Sequence, residues 1–343
     1  MSGDLPTPHQ RRPRYAGKNP RRFEEKYKER NPEKYPETVA RVRASGKTPA
    51  GMHVPIMVEE ILSVLVPRPG EVAVDCTLGF GGHARVILPH LLPGGKLIGL
   101  DVDPVEHPRT EKRLRDLGFG PEVLPVRRAN FAGLVRVLGE EGLVGVDCLL
   151  ADLGVSSMQL DTPGRGFSVK TPGPLDMRMN PHKGRSAADL LAAIPAEDLA
   201  ALLREHADEP RAATLAACLA GQTFALTTDL AAAIHAAVPR LPEGERTKCV
   251  RRVFQALRIA VNDEFTALET LLRHLPGCLN PGGRVAIMTF HSGEDRRVKK
   301  AFEAGRRDGV YARIASDVVR AGREELRANP RAASAKLRWA VRA

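Results

Sequence analysis

From Gly70 onward, short apolar runs alternate with amphipathic stretches, the rhythm of strands each followed by a helix. "EVAVDCTL" reads as a first strand and "HARVILPHLL" as its helix. "GKLIGLDVDP" is a second strand ending at Asp101 and Asp103, backed by the helical "EHPRTEKRLRDLG". "PEVLPVRRANF" supplies a third strand ending near Asn130 and Phe131, and "VDCLLADLG" a fourth ending at Asp152. This alternation predicts an α/β, doubly wound sheet. Ligands of such sheets bind beyond the carboxyl ends of the strands, so Asp75, Asp101, Phe131 and Asp152 are expected to face one crevice.

The rhythm breaks after residue 160. A Gly/Pro-rich stretch, "GRGFSVKTPGPLDMRMNPHKGRS", leads into Ala- and Leu-rich helical sequence from Ala187 to Ala237, and "GGRVAIMTF" then resumes the sheet pattern. We read an all-helical module, residues 161–245, inserted into a sheet domain whose two parts are 52–160 and 246–343. Lys248 to Leu275 reads as one long helix with an apolar stripe including Val253, Leu257, Val261, Phe265, Leu268 and Leu272. Its other face carries Arg251, Gln255, Arg258 and Asn262 in one row, suited to phosphates or a base edge, or simply to solvent. Ser292 and Asp295 have capping-box spacing at the next helix start. His291 sits at the strand end before it, and Arg296, Arg297, Lys299 and Lys300 form a basic cluster.

The turn in "VDCTLGFGGHARVI" places Gly79, Gly81 and Ala84 in the G-x-G-x-x-A pattern, with Asp101 downstream to accept from ribose hydroxyls. That pattern suits a dinucleotide and S-adenosylmethionine alike. Asp75 separates them, because a carboxylate facing the turn repels a pyrophosphate but tolerates a sulfonium and an amino group. The methyl donor is the better fit.

Composition narrows the class. With 343 residues, 43% of them hydrophobic, the chain can bury a large core, yet its apolar runs are too short and too interrupted to span a bilayer. Five scattered cysteines without C-x-x-C and ten histidines without ligand spacing indicate neither a disulfide framework nor a metal site, and the expected compartment is reducing. Residues 1–50 carry thirteen Lys and Arg against six Asp and Glu, the larger part of a net charge of +11. This basic extension, residues 1–51, suggests a polyanionic partner or a solvated leader, and Phe23, Tyr27 and Tyr35 within it could stack on bases or dock on the protein. No apolar h-region precedes it, and its acids argue against a mitochondrial presequence, so a cytoplasmic protein is expected.

Taken together, "HVPIMVEEIL", "DCTLGFGGHA", "GLDVDP", "ANF", "DLGVSSMQLD", "RGFSV", "PLDMRM", "VFQALRIAVNDEF", "GGRVAIMTFHSGEDRRVKK" and "NPRAASAKLR" resemble, in order and spacing, the bacterial MraW/RsmH family. The resemblance runs from His53 to the C-terminus. It implies a class I, Rossmann-like methyltransferase using S-adenosylmethionine on the exocyclic N4 of a cytidine in the decoding centre of 16S ribosomal RNA, with the small ribosomal subunit as partner and a homodimer as an option. By resemblance the cofactor contacts fall on Gly81, Gly82, His83, Asp101, Phe131, Asp152 and Gln159, to which the pattern above adds Asp75 and Gly79. Asp152 is the expected acceptor, either from the target amine or from the donor's amino group, with Ser156 and Ser157 next. The RNA is expected on Arg165, Phe167, Arg178, Arg251, Gln255, Arg258, Asn262, His291, Arg296 and Lys299, with Phe167 stacking or packing in the core.

Three departures accompany the resemblance. Gly293 stands where the family usually has Leu, which implies a looser turn. Residues 1–50 fall outside the family core. "DLGVSS" replaces the Pro-Pro-aromatic tetrad of amino-methyltransferases. A nicotinamide oxidoreductase, a DNA amino-methyltransferase and a non-catalytic ribosome-binding protein are the competing readings.

Overall fold

The computed structural model describes residues 55–343. The basic extension 1–51, with Phe23, Tyr27 and Tyr35, lies outside them.

Helix α1 (Val58–Leu65) leads into β1 (Val72–Asp75), α2 (Gly82–Leu91), β2 (Lys96–Asp101), α3 (His107–Asp116), β3 (Val126–Arg128), α4 (Leu134–Glu140) and β4 (Val146–Asp152). The short α5 (Ser157–Asp161) follows, and then the helical segment: α6 (Ala187–Ala193), α7 (Ala196–Ala207), α8 (Ala212–Leu219), α9 (Thr227–Ala237) and α10 (Glu243–Asn262). The sheet resumes with α11 (Glu264–Cys278), β5 (Leu279–Thr289), α12 (Ser292–Arg307), β6 (Tyr311–Ile314), α13 (Arg323–Ala328) and β7 (Lys336–Arg342).

The seven strands lie in the order β3-β2-β1-β4-β5-β7-β6. Strands β1 to β5 pair in parallel, and β7 runs antiparallel to both β5 and β6. β1 has β2 on one side and β4 on the other, so the topological switch, where ligands bind, falls at its carboxyl end.

The parallel strands are near-continuous apolar runs because helices cover both faces. Val74, Ile98, Leu149 and Ile287 face one core with Leu134, Leu268 and Val298; Ala73, Leu97, Leu150 and Met288 face the other with Ile61, Leu88 and Leu114. A third core lies among the helices, from Phe167 through Leu203 and Leu230 to Leu257, and so takes in the first part of α10.

Two local expectations change. The helix expected over Lys248 to Leu275 is two, broken at Asp263, whose backbone is left-handed (φ 50°) and whose N–H closes α10. Asp tolerates that conformation, and the apolar stripe runs on across the break, so periodicity hides it. The cap sits one residue earlier than expected and is not a capping box: the His291 ring accepts from the Glu294 N–H, and Glu294 reaches past the cap to accept from the Phe290 N–H at 2.8 Å. Ser292 bonds Asp208 instead, and Asp295 holds Arg338 and Lys336 of β7. Strands β6 and β7 carry no signal in the pattern above. No helix among the described residues is long and apolar enough to cross a membrane.

Candidate active site

Three strands deliver carboxylates to the switch. Asp75 closes β1, is almost fully buried, and accepts from the Thr77 N–H at 3.0 Å. The Thr77 hydroxyl in turn accepts from the Asp152 N–H at 2.7 Å, which locks the end of β4 to the loop after β1. Asp101 closes β2 and accepts from the Gly79 and Asp103 N–H groups at 2.7 and 2.8 Å. The Asp152 carboxylate stands 3.6 Å from His83 Nδ1, while the other ring nitrogen of His83 lies 2.9 Å from the Ile56 carbonyl. A carbonyl only accepts, so Nε2 carries the hydrogen. In a neutral ring Nδ1 then offers a lone pair to Asp152.

Burial raises all three acids from the ordinary 3.8. Asp75 and Asp101 are pushed up to about 6, with His83 pulling Asp75 back in part. Asp152 is pushed up to about 7, by burial first and then by the Glu294 carboxylate. In their ionised forms three carboxylates gathered at one crevice fit a ligand bearing positive charge and oppose a pyrophosphate.

The glycine turn is held by its own protein. Gly81 is left-handed (φ 79°), and a Cβ there would lie 2.9 Å from Leu114, while one on Gly82 would meet Pro55 at 3.1 Å. Thr110 donates to the Gly79 carbonyl at 2.5 Å, and Arg113 donates to the Phe80 carbonyl with its guanidinium 3.5 Å above the Phe80 ring. Gly81 and Gly82 therefore also serve packing, against α3 and the entry segment.

Phe131 starts a short 3-10 turn, half-buried against the core beneath α4. Gln159 is buried, with its side-chain oxygen accepting from the Ser156 N–H at 3.0 Å and its amide donating to Asp103 at 2.9 Å. Ser156 accepts from the Gln159 N–H, completing a capping box, so its hydroxyl caps α5. Ser157 makes no hydrogen bond through its hydroxyl among the described residues and remains the freer of the two. Asp103, 1% exposed, belongs to the site too, and in the sequence only the second acid of "GLDVDP" signals it.

The residues expected on RNA divide into two sets. Phe167 is buried in the helical core, which settles its packing alternative. Arg165 is buried on Asp103, and Arg178 forms a two-point pair with Asp176. Gln255 donates to the His206 carbonyl, Arg258 pairs with Glu264 at 2.8 and 2.9 Å, and Asn262 bonds Met177 and Met179. His291 caps α12 with its ring against Glu294. Most of these side chains therefore hold the fold, against the expectation of a row facing RNA. Arg251 and Lys299 are exposed, and Arg296 is half-exposed in a pair with Asp208. The turn at Gly293 is not looser: the Phe265 ring fills the space, 2.6 Å from where a Cβ would stand, with Arg297 stacked on it at 3.5 Å.

The profile of the MraW methylase family matches residues 50–343. A protein of Lachnoclostridium phytofermentans named ribosomal RNA small subunit methyltransferase H 1 is 48% identical over 98% of this chain and 93% of its own. One of Agathobacter rectalis with the same name is 48% identical over 98% of both chains. Ribosomal RNA small subunit methyltransferase H of Syntrophotalea carbinolica is 42% identical over 83% of this chain and 96% of its own. Alignments that span 98% of the chain take in most of residues 1–51. The extension lies almost wholly outside the family profile, yet the first two relatives share it.

Proposed function

The chain belongs to the MraW methylase family, and from that premise we propose that it transfers a methyl group from S-adenosylmethionine to the exocyclic N4 of a cytidine in 16S ribosomal RNA within the small subunit. The observation that carries this reading is the position of Asp152: a half-buried carboxyl at the end of β4, beside the switch crevice and 3.6 Å from His83, pushed up to about 7.

The crevice fits the donor. Asp101 would hold the ribose hydroxyls, Phe131 the adenine, and the Gly81–His83 turn with Asp75, Asp152 and Gln159 the methionine part and its positive charges. S-adenosylmethionine supplies an electrophilic methyl on a sulfonium that needs no acid to leave.

The protein's work is on the base. The cytosine amine is a weak nucleophile because its lone pair is drawn into the ring, so the chain must orient it and accept a hydrogen from it. Asp152 in its ionised form accepts that hydrogen, and an acid titrating near 7 is matched to taking a proton at neutral pH. His83 Nδ1, facing the same carboxyl, then shares the proton. Positioning of this kind lowers a barrier by roughly 7 to 11 kcal/mol, against a cost of a few kcal/mol for unstacking the base. Arg251, Lys299 and Arg296 are the exposed cations that would meet phosphates.

Donor binding by calorimetry, followed by transfer of labelled methyl to isolated small subunits, large subunits and naked 16S RNA, tests the reading. Label is expected on small subunits. Binding without transfer to any ribosomal substrate overturns it.

A further inference from the structure

Residues 162–185, between α5 and α6, contain no regular element beyond the 3-10 turn Pro163–Arg165. The segment nevertheless closes tightly on itself. A Cβ on Gly166 would lie 2.2 Å from the Pro174 carbonyl oxygen, and one on Gly173 1.9 Å from that of Pro163, so both crossings require glycine.

Arg165 sits at the centre of this crossing. Its carbonyl accepts from the Met177 N–H at 3.1 Å. Its guanidinium donates through Nη1 to Asp103 Oδ2 at 2.8 Å and through Nη2 to the carbonyls of Arg178 and Met179 at 3.0 and 2.8 Å. The same oxygen of Asp103 receives the Gln159 amide at 2.9 Å. From the opposite side Asn262 accepts from the Met179 N–H at 2.7 Å and donates to the Met177 carbonyl at 2.8 Å. The Arg165 and Asp103 side chains are 11% and 2% exposed, which makes this pair stiff and little screened by salt.

Immediately after Met179 comes "NPHKGR", Asn180 to Arg185, where His182, Lys183 and Arg185 are exposed. Neither Lys183 nor Arg185 forms an ion pair among the described residues.

We propose that Arg165 is a positioning residue that sets this basic tip, an RNA-backbone contact, in register with the donor site through Asp103. The inference rests on the methyltransferase reading and adds to it a contact surface and the residue that places it. One carboxylate oxygen carries both Gln159, on the donor side, and Arg165, on the RNA side. A planar two-armed guanidinium spans Asp103 and two carbonyls at once; a lysine keeps the charge but cannot span them.

The test uses the full chain and small subunits lacking the modification, with saturating donor, and measures donor affinity separately by calorimetry. Arg165→Lys is expected to fold and to keep donor affinity within about twofold, yet to lose roughly 100-fold in kcat, the cost of a misplacement of about 1 Å. Lys183→Ala with Arg185→Ala, both on the surface, is expected to raise the KM for subunits, lower kcat in the same sense as Arg165→Lys, and lower the salt dependence of subunit binding by about two phosphate contacts. Arg165→Lys turning over at the unaltered rate, or losing donor affinity as much as turnover, overturns the positioning role. An unchanged subunit KM and salt slope in the double variant overturns the tip. Absence of transfer by the unaltered chain overturns the methyltransferase reading itself, and this proposal with it.

Discussion

His83 and Asp152 face each other at 3.6 Å, and the ring that points Nδ1 at the carboxyl is fixed by its other nitrogen on the Ile56 carbonyl at 2.9 Å. The entry segment before α1 thereby sets the geometry of the acid at the end of β4. A site built this way is sensitive to protonation, and the consequences have definite signs.

Folding raises Asp75 and Asp101 to about 6 and Asp152 to about 7 from 3.8. These acids bind protons more readily folded than unfolded, so their contribution to stability is full below about pH 4 and is lost as pH rises through 6 to 7. A cationic donor binds the ionised forms. Donor affinity should therefore rise across the same window, with proton release on binding. Calorimetry at pH 6 in buffers of different ionisation enthalpy should show that release, and Asp152→Asn should reduce it. A donor affinity independent of pH between 5 and 8 contradicts the assignment.

Ser156 caps α5 and orders Gln159. Ser156→Ala should lower stability by about 1 kcal/mol, the usual worth of such a cap, and raise the KM for donor while kcat stays within about twofold. Thermal melts paired with steady-state kinetics check this. A fall in kcat with unchanged melting would instead make Ser156 a partner of the reacting amine.

Gly81 combines a left-handed backbone with Leu114 2.9 Å from the position of a Cβ. Gly81→Ala should cost about 1 to 3 kcal/mol from crowding alone and weaken donor binding, because the turn must shift. Chemical denaturation and calorimetry measure both, and an unperturbed stability would mean that α3 yields more easily than its packing indicates.

The parts of this site that the sequence reveals are those set by strand periodicity. Asp75, Asp101 and Asp152 stand at strand ends because apolar runs stop there, and Phe131 follows the third run in the same way. Partnerships across the chain leave no such trace. Arg258 looks like one of a polar row until the left-handed turn at Asp263 brings Glu264 back to it. Arg165 looks like a loop cation until the chain crosses itself at Gly166 and Gly173 and buries it on Asp103. Strands β6 and β7 escape notice for a related reason. "KLRWAVR" mixes charge into its pattern because Lys336 and Arg338 are neutralised by Asp295 of α12, a partner 41 and 43 residues earlier.

Arg258 and Arg251 lie on the same helix and should respond differently. The Arg258 and Glu264 side chains are 15% and 12% exposed, so Arg258→Ala leaves a buried carboxylate unpaired and should cost about 3 to 5 kcal/mol. Arg251→Ala, at an exposed position, should change stability by less than about 0.5 kcal/mol and lower the salt slope of subunit binding by about 1. Denaturant titrations and binding isotherms at several salt concentrations separate the two. Equal destabilisation would contradict the division of the row into internal and external members.

The most direct test of the central claim is the chemical identity of the product. Small subunits lacking the modification are incubated with the protein and S-adenosylmethionine, the ribosomal RNA is digested, and the methylated nucleoside is identified by mass spectrometry. An amine held against Asp152 at the end of β4 predicts N4-methylcytidine at a single position, lost or strongly reduced with Asp152→Asn. A methyl group on a ring carbon or a ribose hydroxyl, or N4-methylcytidine formed undiminished by Asp152→Asn, would contradict the account.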